Sequence, residues 1–359
     1  MEMVQAMPGL FTTIGLLVIL LCVLFLPFLV KIVEHDLEIF LCIMGIVAVT
    51  ISGLWSIEVI KTALLSPIHP KHPIVETVLL AGIIFTLLEE KLKLFVSAAE
   101  KILGMRLFIF LIISVLGIVS SVITAIVAAL VLVEIVSILK FSKEVEVRIV
   151  VFACFAIGLG AALTPVGEPL STILISRLRG EPYHAGFFFL WNNLAIYVIP
   201  LVIFSAFFAA MFTKKQESSG GTLKEDREEG YKDMFIRAGK VYIFIAGLEF
   251  LAKGFSPVVD YLVPRLKPEL LYYINMISAI LDNATLTAAE ITPAMNILQI
   301  KSMLLSLLIS GGMLIPGNIP NIITANKLKI GSWQWAKIGV PFGLVILFVY
   351  YIILFIVKI

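Results

Sequence analysis

Charge is scarce in this chain. Asp, Glu, Lys and Arg make up 14% of its 359 residues and hydrophobic residues 60%, with a mean hydropathy of +1.07. A soluble domain carries about a quarter charged residues, so the composition excludes an ordinary soluble fold. The formal net charge is only +2, and no dense basic tract marks a nucleic-acid partner. Cysteine is almost absent. Cys22, Cys42 and Cys154 all lie inside apolar runs, which excludes a disulfide framework and leaves packing as their role. The four histidines (His35, His69, His72 and His184) fall in polar breaks, and none belongs to an HExxH pattern, which argues against a zinc metalloprotease. No Lys or Arg precedes Lys31. The first apolar run is about twice the length of a signal-peptide core, so a retained first span is expected.

What remains is a series of apolar runs, many long enough to cross a bilayer. They cover 9–33, 37–60, 74–88, 107–139, a stretch from near 147, 185–212, 235–252, 270–296, 298–309 and about 338–358. The run 107–139 is too long for one simple span and carries Gly117 with Ser120, Ser121 and Thr124, a pattern that suits a helix pair or a broken helix. Residues 88–106 are amphipathic, as for an interfacial or linker helix. The hydrophilic stretch 213–230 has the composition of a flexible linker.

Two features recur in the same order on either side of that linker. "SSVITAIVAAL" from Ser120 and "SAILDNATLTA" from Ser278 are helices with polar centres. "GAALTPVGEPL" (160–170) and "GGMLIPGNIPN" (311–321) are Gly/Pro-interrupted and share a Pro-x-x-x-Pro spacing, Pro165 matching Pro316 and Pro169 matching Pro320. Paired interrupted segments of this kind mark transporter binding sites, because a helix broken at membrane depth frees backbone groups that protein, water or a ligand must satisfy. The organisation expected is 1–106 as N-terminal spans, 107–180 as a first transport core, 181–267 as further spans, 268–330 as a second core and 331–359 as a last span.

Acids within apolar runs are costly and need a reason. Glu58 and Glu249 have Lys61 and Lys253 within a helical turn, so both read as simple pairs. Glu134, Glu168, Asp282 and Glu290 have no basic residue three or four positions away. Each of these could also be a neutral, hydrogen-bonded structural group. On a continuous helix Asn283, Thr287 and Glu290 share one face. Asp282 and Glu290 then stand about 12 Å apart at ~1.5 Å per residue, too far to share a proton directly. No Arg or Lys occurs in 107–139, 149–176 or 268–300. Carboxylates, amides and hydroxyls without cationic side chains suit hard cations such as sodium, or protons. A carboxylate that holds either one exchanges them by competition.

The segments "SAILDNATLTAAEITP" and "GGMLIPGNIPNIITA" resemble the second-half signature of the ion transporter superfamily, which includes NhaD-type sodium/proton antiporters, arsenite permeases and citrate or dicarboxylate transporters. "GLGAALTPVGEPLSTIL" resembles its first-half counterpart, and the short chain looks most like a prokaryotic branch described as cation transporters. The resemblance implies an all-α polytopic protein of the cell membrane with two inverted repeats, broken helices, re-entrant hairpins and about ten spans. It further implies a homodimer whose transport domains move as elevators. Carried onto this chain, it points to Ser120, Ser121, Thr124, Thr164 and Glu168 in the first half. In the second half it points to Asp282, Asn283, Thr287, Asn318 and Asn321, beside which the residues themselves place Glu290. Asp282, Asn283 and Thr124 are the sodium ligands expected. The Ser-Asn-Thr motifs of the sodium/dicarboxylate branch are absent, and the first half has "VITA" where the second has "ILDN", so the ionisable group comes mainly from the second half. The function expected is sodium (or related cation)/proton antiport, with Asp282 as the exchanging carboxylate and no cofactor. A sodium- or proton-coupled carrier of an organic anion or arsenite-like oxyacid is the alternative. An enzyme is not expected: an aspartyl intramembrane protease needs two facing aspartates, and only Asp282 is central to an apolar run.

Overall fold

The computed structural model describes residues 8–30, 32–33, 36–65, 68, 91, 94, 96, 98–213, 231–262, 267–276, 283–291, 293 and 295–357. The apolar run 74–88, much of the amphipathic segment after it, the linker 214–230 and Asp282 lie outside the described residues. Everything regular among the described residues is helical.

The chain enters through α1 (Leu10–Leu29), α2 (Leu37–Ser52) and α3 (Ile57–Leu65). The expected single span 37–60 is therefore two helices. Gly53 takes up φ +65 as the left-handed cap of α2, and the Ser56 hydroxyl then accepts from the Val59 N–H to start α3. A first half follows: α4 (Met105–Ile123), α5 (Ala125–Leu139), α6 (Lys143–Ala161), α7 (Pro169–Arg177) and α8 (Phe189–Met211). The long α9 (Tyr231–Leu262) leads into a second half: α10 (Pro268–Ile274), α11 (Asn283–Glu290), α12 (Ile297–Gly311), α13 (Ile319–Leu328) and α14 (Ser332–Tyr351), which continues as a π-helical turn, Ile352–Val357.

Local chemistry sets the ends. Glu144 and Glu146 occupy the first turn of α6, where the helix dipole favours acid. Asn296 and Gln299 form a reciprocal capping box on α12. α7 has proline at its first position and α13 at its second, where the missing N–H costs nothing.

Among the described residues, three helices are long and apolar enough to cross a membrane: Met105–Ile123, Phe189–Met211 and Ser332–Val357. Shorter apolar helices cover Leu10–Val23, Glu38–Ser52, Ala125–Leu139 and Ile297–Gly311. α1, α4 and α14 each leave a stripe of large apolar side chains uncovered, among them Phe11, Leu17 and Phe25 on α1 and Val345 and Phe348 on α14. Stripes of that extent fit lipid better than water. The molecule is thus helical and membrane-embedded in character.

Two packed bodies of helices position the rest. α2 lies along α9 with backbones nearly touching: a Cβ built on Gly45 would lie 2.6 Å from the Gly247 carbonyl oxygen, and one on Gly254 would lie 2.5 Å from the Ala48 Cβ. Small residues permit this approach where apolar burial gives no drive between helices. Elsewhere α4, α6 and α8 pack together, and 149–164 and 302–318 are buried without interruption. Helices buried all round form the centre of a fold rather than its surface.

Candidate functional site

The run 107–139 is a broken helix, and the break is Thr124. Its φ of 76° and ψ of 149° form a backbone region that β-branched residues hardly populate. The threonine remains because its neighbours specify it. Its hydroxyl accepts from the Val127 N–H at 3.4 Å, and the Ala125 N–H, freed by the break, donates to the Gly167 carbonyl at 3.0 Å. Ser120 donates to the carbonyls of Gly117 (2.6 Å) and Ile157 (3.0 Å), and Ser121 donates to Ile118 (2.7 Å). A Cβ on Gly160 would lie 1.7 Å from the Gly117 carbonyl oxygen, so α4 and α6 cross with no room for a methyl group.

Between α6 and α7 the chain turns at 162–168, and between α12 and α13 it turns at 312–318. The two turns share one hydrogen-bond pattern. Leu163, Gly167 and Ser171 donate their N–H groups to Gly160, Thr164 and Glu168; Met313, Gly317 and Asn321 donate theirs to Ser310, Leu314 and Asn318. Corresponding residues are 150 apart, and the caps agree: Glu168 has φ −150° and ψ 145°, Asn318 φ −155° and ψ 145°. The sequence match that pairs the prolines is therefore displaced by one residue. Gly167 corresponds to Gly317, Glu168 to Asn318 and Ser171 to Asn321. Proline is tolerated at either of the first two helical positions, so it marks the limb without fixing the register.

Each limb is tied to its own turn. The Ser171 hydroxyl donates to Ala162 at 2.9 Å, and Asn321 Nδ2 donates to both Gly311 (2.8 Å) and Leu314 (2.9 Å). Thr164 donates to the Ser121 carbonyl and accepts from the Val166 N–H, joining the first turn to the broken helix. Glu168 is buried at the base of α7.

In the second half Asn283, Thr287 and Glu290 lie on one helix, α11, and all three are buried. Their environments differ. Glu290 accepts from Asn275 Nδ2 at 2.8 Å. Asn283 Nδ2 and Oδ1 and Thr287 Oγ1 have no hydrogen-bond partner among the described residues, and the same holds for Ser310 Oγ and Asn321 Oδ1. Asn283 stands at the second turn: a Cβ on Gly311 would lie 2.6 Å from its Nδ2, 3.1 Å from its Oδ1 and 3.0 Å from the Gly317 carbonyl oxygen. Ser310 precedes Gly311, and Asn321 bonds to it. Buried polar atoms are nearly always paired, so several unpaired ones around one glycine call for a ligand or water. Among the described residues no three His, Cys, Asp or Glu side chains gather. The donors around Gly311 are amides and hydroxyls.

The halves interlock. α5 packs on α13 and α7 on α11. Asn318 reaches α6, where a Cβ on Gly158 would lie 2.3 Å from its Nδ2, and Thr324 meets Cys154, Oγ1 to Sγ 3.2 Å. Glu134 pairs with Lys327 at 3.0 Å. The structure thus brings Asn283 and Asn321 together at Gly311 in the second half, with Thr287 one turn along α11 from Asn283. It joins Ser121 to Thr164 in the first, and keeps Ser120 engaged with α6. It adds Ser310, Gly158, Asn275 and Lys327, which sequence reasoning missed. Ser310 was hidden in an apolar run, and Lys327 is 193 residues from its partner.

A family described as "Protein of unknown function (DUF1646)" matches residues 13–357, nearly the whole chain, so the chain belongs to that family. No curated protein matches it in sequence.

Proposed function

We propose that this chain is a secondary active transporter that exchanges sodium, or a related cation, for protons. The observation that carries the reading is the group of buried, unpaired polar atoms on Asn283, Ser310 and Asn321 at Gly311, with that of Thr287 one turn along α11 from Asn283. Hydroxyl and amide oxygens suit a dehydrated hard cation, and the cation would satisfy atoms that are otherwise costly to bury. Asp282, adjacent to Asn283, is the exchanging carboxylate in this reading. Glu290 and Glu168 are secondary proton carriers, and Thr124 and Asn318 supply further oxygens.

The same reading treats 105–211 and 268–357 as two inverted repeats, about ten spans in all counting the shorter ones, in a homodimer of elevator type. Three observations support the repeat: a shared order of helix, hairpin and span; turns that correspond residue for residue; and the reciprocal packing of α5 on α13 and α11 on α7. The resemblance to the ion transporter superfamily agrees with it.

A second reading is favoured by the helix starts at Ala125, Pro169 and Ile319. Each begins at a break or a hairpin turn, where the positive ends of helix dipoles favour an anion. In that case the cation couples the movement of an organic anion or oxyacid. The test is exchange in proteoliposomes under an imposed sodium or proton gradient. Sodium-dependent proton movement is expected, and Asp282→Asn should abolish it; full exchange by that variant removes Asp282 from the mechanism. Thermal stabilisation by carboxylates or arsenite, with none by sodium alone, would shift the conclusion to the second reading.

A further inference from the structure

α5 and α13 lie side by side, with Ile126, Ala129 and Leu130 against Ile319 and Ile323. Four residues farther along each helix stand Glu134 and Lys327, paired at 3.0 Å with side chains 23% and 7% exposed. Just beyond, Lys143 at the start of α6 donates to the carbonyl of Leu328, the last residue of α13, and pairs with Glu146 at 2.6 Å. The end of the second hairpin limb is therefore held by the α5–α6 corner at two points. One is a largely buried ion pair, and the other is a cation on the negative end of a helix dipole. Among the described residues, the corner between α11 and α12 meets the segment after α7 where the Tyr183 hydroxyl donates to the Met295 carbonyl.

We propose that Glu134, Lys327 and Lys143 form an ionic clasp that positions the second hairpin limb, and with it Asn318 and Asn321 at the other end of α13, against the first half. This rests on the transporter reading above. In a molecule of inverted repeats the two corners face opposite sides of the membrane. The clasp then holds the hairpin limb on one side. Loosening the clasp lets α13 shift along the Ile126–Ile323 seam, so the cation site loses its shape while the rest of the fold stays. Glu134 and Lys327 are positioning residues and touch no ion themselves.

The experiment compares E134Q, K327Q, the double neutral variant E134Q/K327Q and the swap E134K/K327E, each reconstituted and normalised to folded protein. Removing one partner leaves a buried charge alone and endangers folding; the double neutral variant and the swap leave none. For E134Q/K327Q the sodium concentration for half-maximal exchange should rise at least about fivefold, as expected for contacting, coupled residues. The maximal rate per molecule should stay within about twofold, and the swap should return the half-maximal concentration toward the native value. A second readout needs no transport. With the native cysteines replaced, a cysteine at Ala129 should react with a maleimide faster in the double neutral variant than in the native or swapped pair. Unchanged labelling together with an unchanged half-maximal concentration overturns the clasp. A fall in maximal rate alone, with labelling unchanged, also overturns it. Faster labelling in a protein that shows no exchange at all keeps the clasp and rejects the transporter reading.

Discussion

In the first half the hydroxyls of Ser120, Ser121 and Thr164 all donate to backbone carbonyls, and the N–H freed at the helix break reaches Gly167. In the corresponding part of the second half, Asn283, Thr287, Ser310 and Asn321 keep buried atoms without partners among the described residues. The same turn thus serves two ends. Where the hydroxyls are paired, the polarity holds a strained backbone in place. Where groups are left over, the site is poised for something that is not part of the chain. Candidate ligands that look alike in sequence separate once their partners are counted.

The comparison breaks most sharply at two glycines. A Cβ on Gly160 meets the Gly117 backbone at 1.7 Å, whereas one on Gly311 first meets the movable end of Asn283 at 2.6 Å. Gly160→Ala should therefore force the α4–α6 crossing apart and cost about 3 kcal/mol or more, read as loss of folded protein in detergent. Gly311→Ala should fold and lose cation-dependent stabilisation instead, because Asn283 yields. If both variants fold equally well, the two halves are not packed as differently as described.

A smaller effect separates the polar residues themselves. Asn283→Ala removes two unpaired buried atoms, which relieves up to about 1–3 kcal/mol of desolvation cost and offsets the cavity it leaves. Its melting temperature without sodium should equal or exceed that of the native protein, while the rise on adding sodium disappears. Ser120→Ala should do the reverse. It strips a donor from Gly117 and Ile157, costs about 1 kcal/mol, and keeps the sodium-dependent rise. Loss of that rise in Ser120→Ala would place the first-half serine in the site after all.

Much of this was legible from residue order. The cluster Ser120, Ser121 and Thr124 marked a break, the Gly/Pro segments marked both turns, and the four- and three-residue steps from Asn283 placed one buried face on α11. What was hidden had physical reasons. Proline pairing set the repeat one residue out of register, because a first helical turn accepts proline at more than one position. Glu134 looked partnerless because a basic partner was sought within one turn, and Lys327 comes from the other half. The break at Gly53 was hidden within the largely apolar run 37–60, since hydropathy measures burial in lipid and not backbone direction.

The smallest effect tests whether the first half stores strain at all. At φ 76° and ψ 149° Thr124 occupies a region open to glycine and nearly closed to threonine, at a cost of order 1–3 kcal/mol. Its hydroxyl returns part of that by capping α5, at a long 3.4 Å. Replacing a cap by glycine costs only a few tenths of a kcal/mol. Thr124→Gly should then raise stability by about 1 kcal/mol, seen as a higher melting temperature, whereas Thr124→Ala keeps the strain, loses the cap and should fall by about 1 kcal/mol. The two changes have opposite signs, so one thermal-shift comparison decides. If the glycine variant is the more stable and exchanges sodium more slowly, the strained threonine is retained for the site. If it is more stable and fully active, the strain merely accompanies the break, and the functional weight of the core rests on the second half.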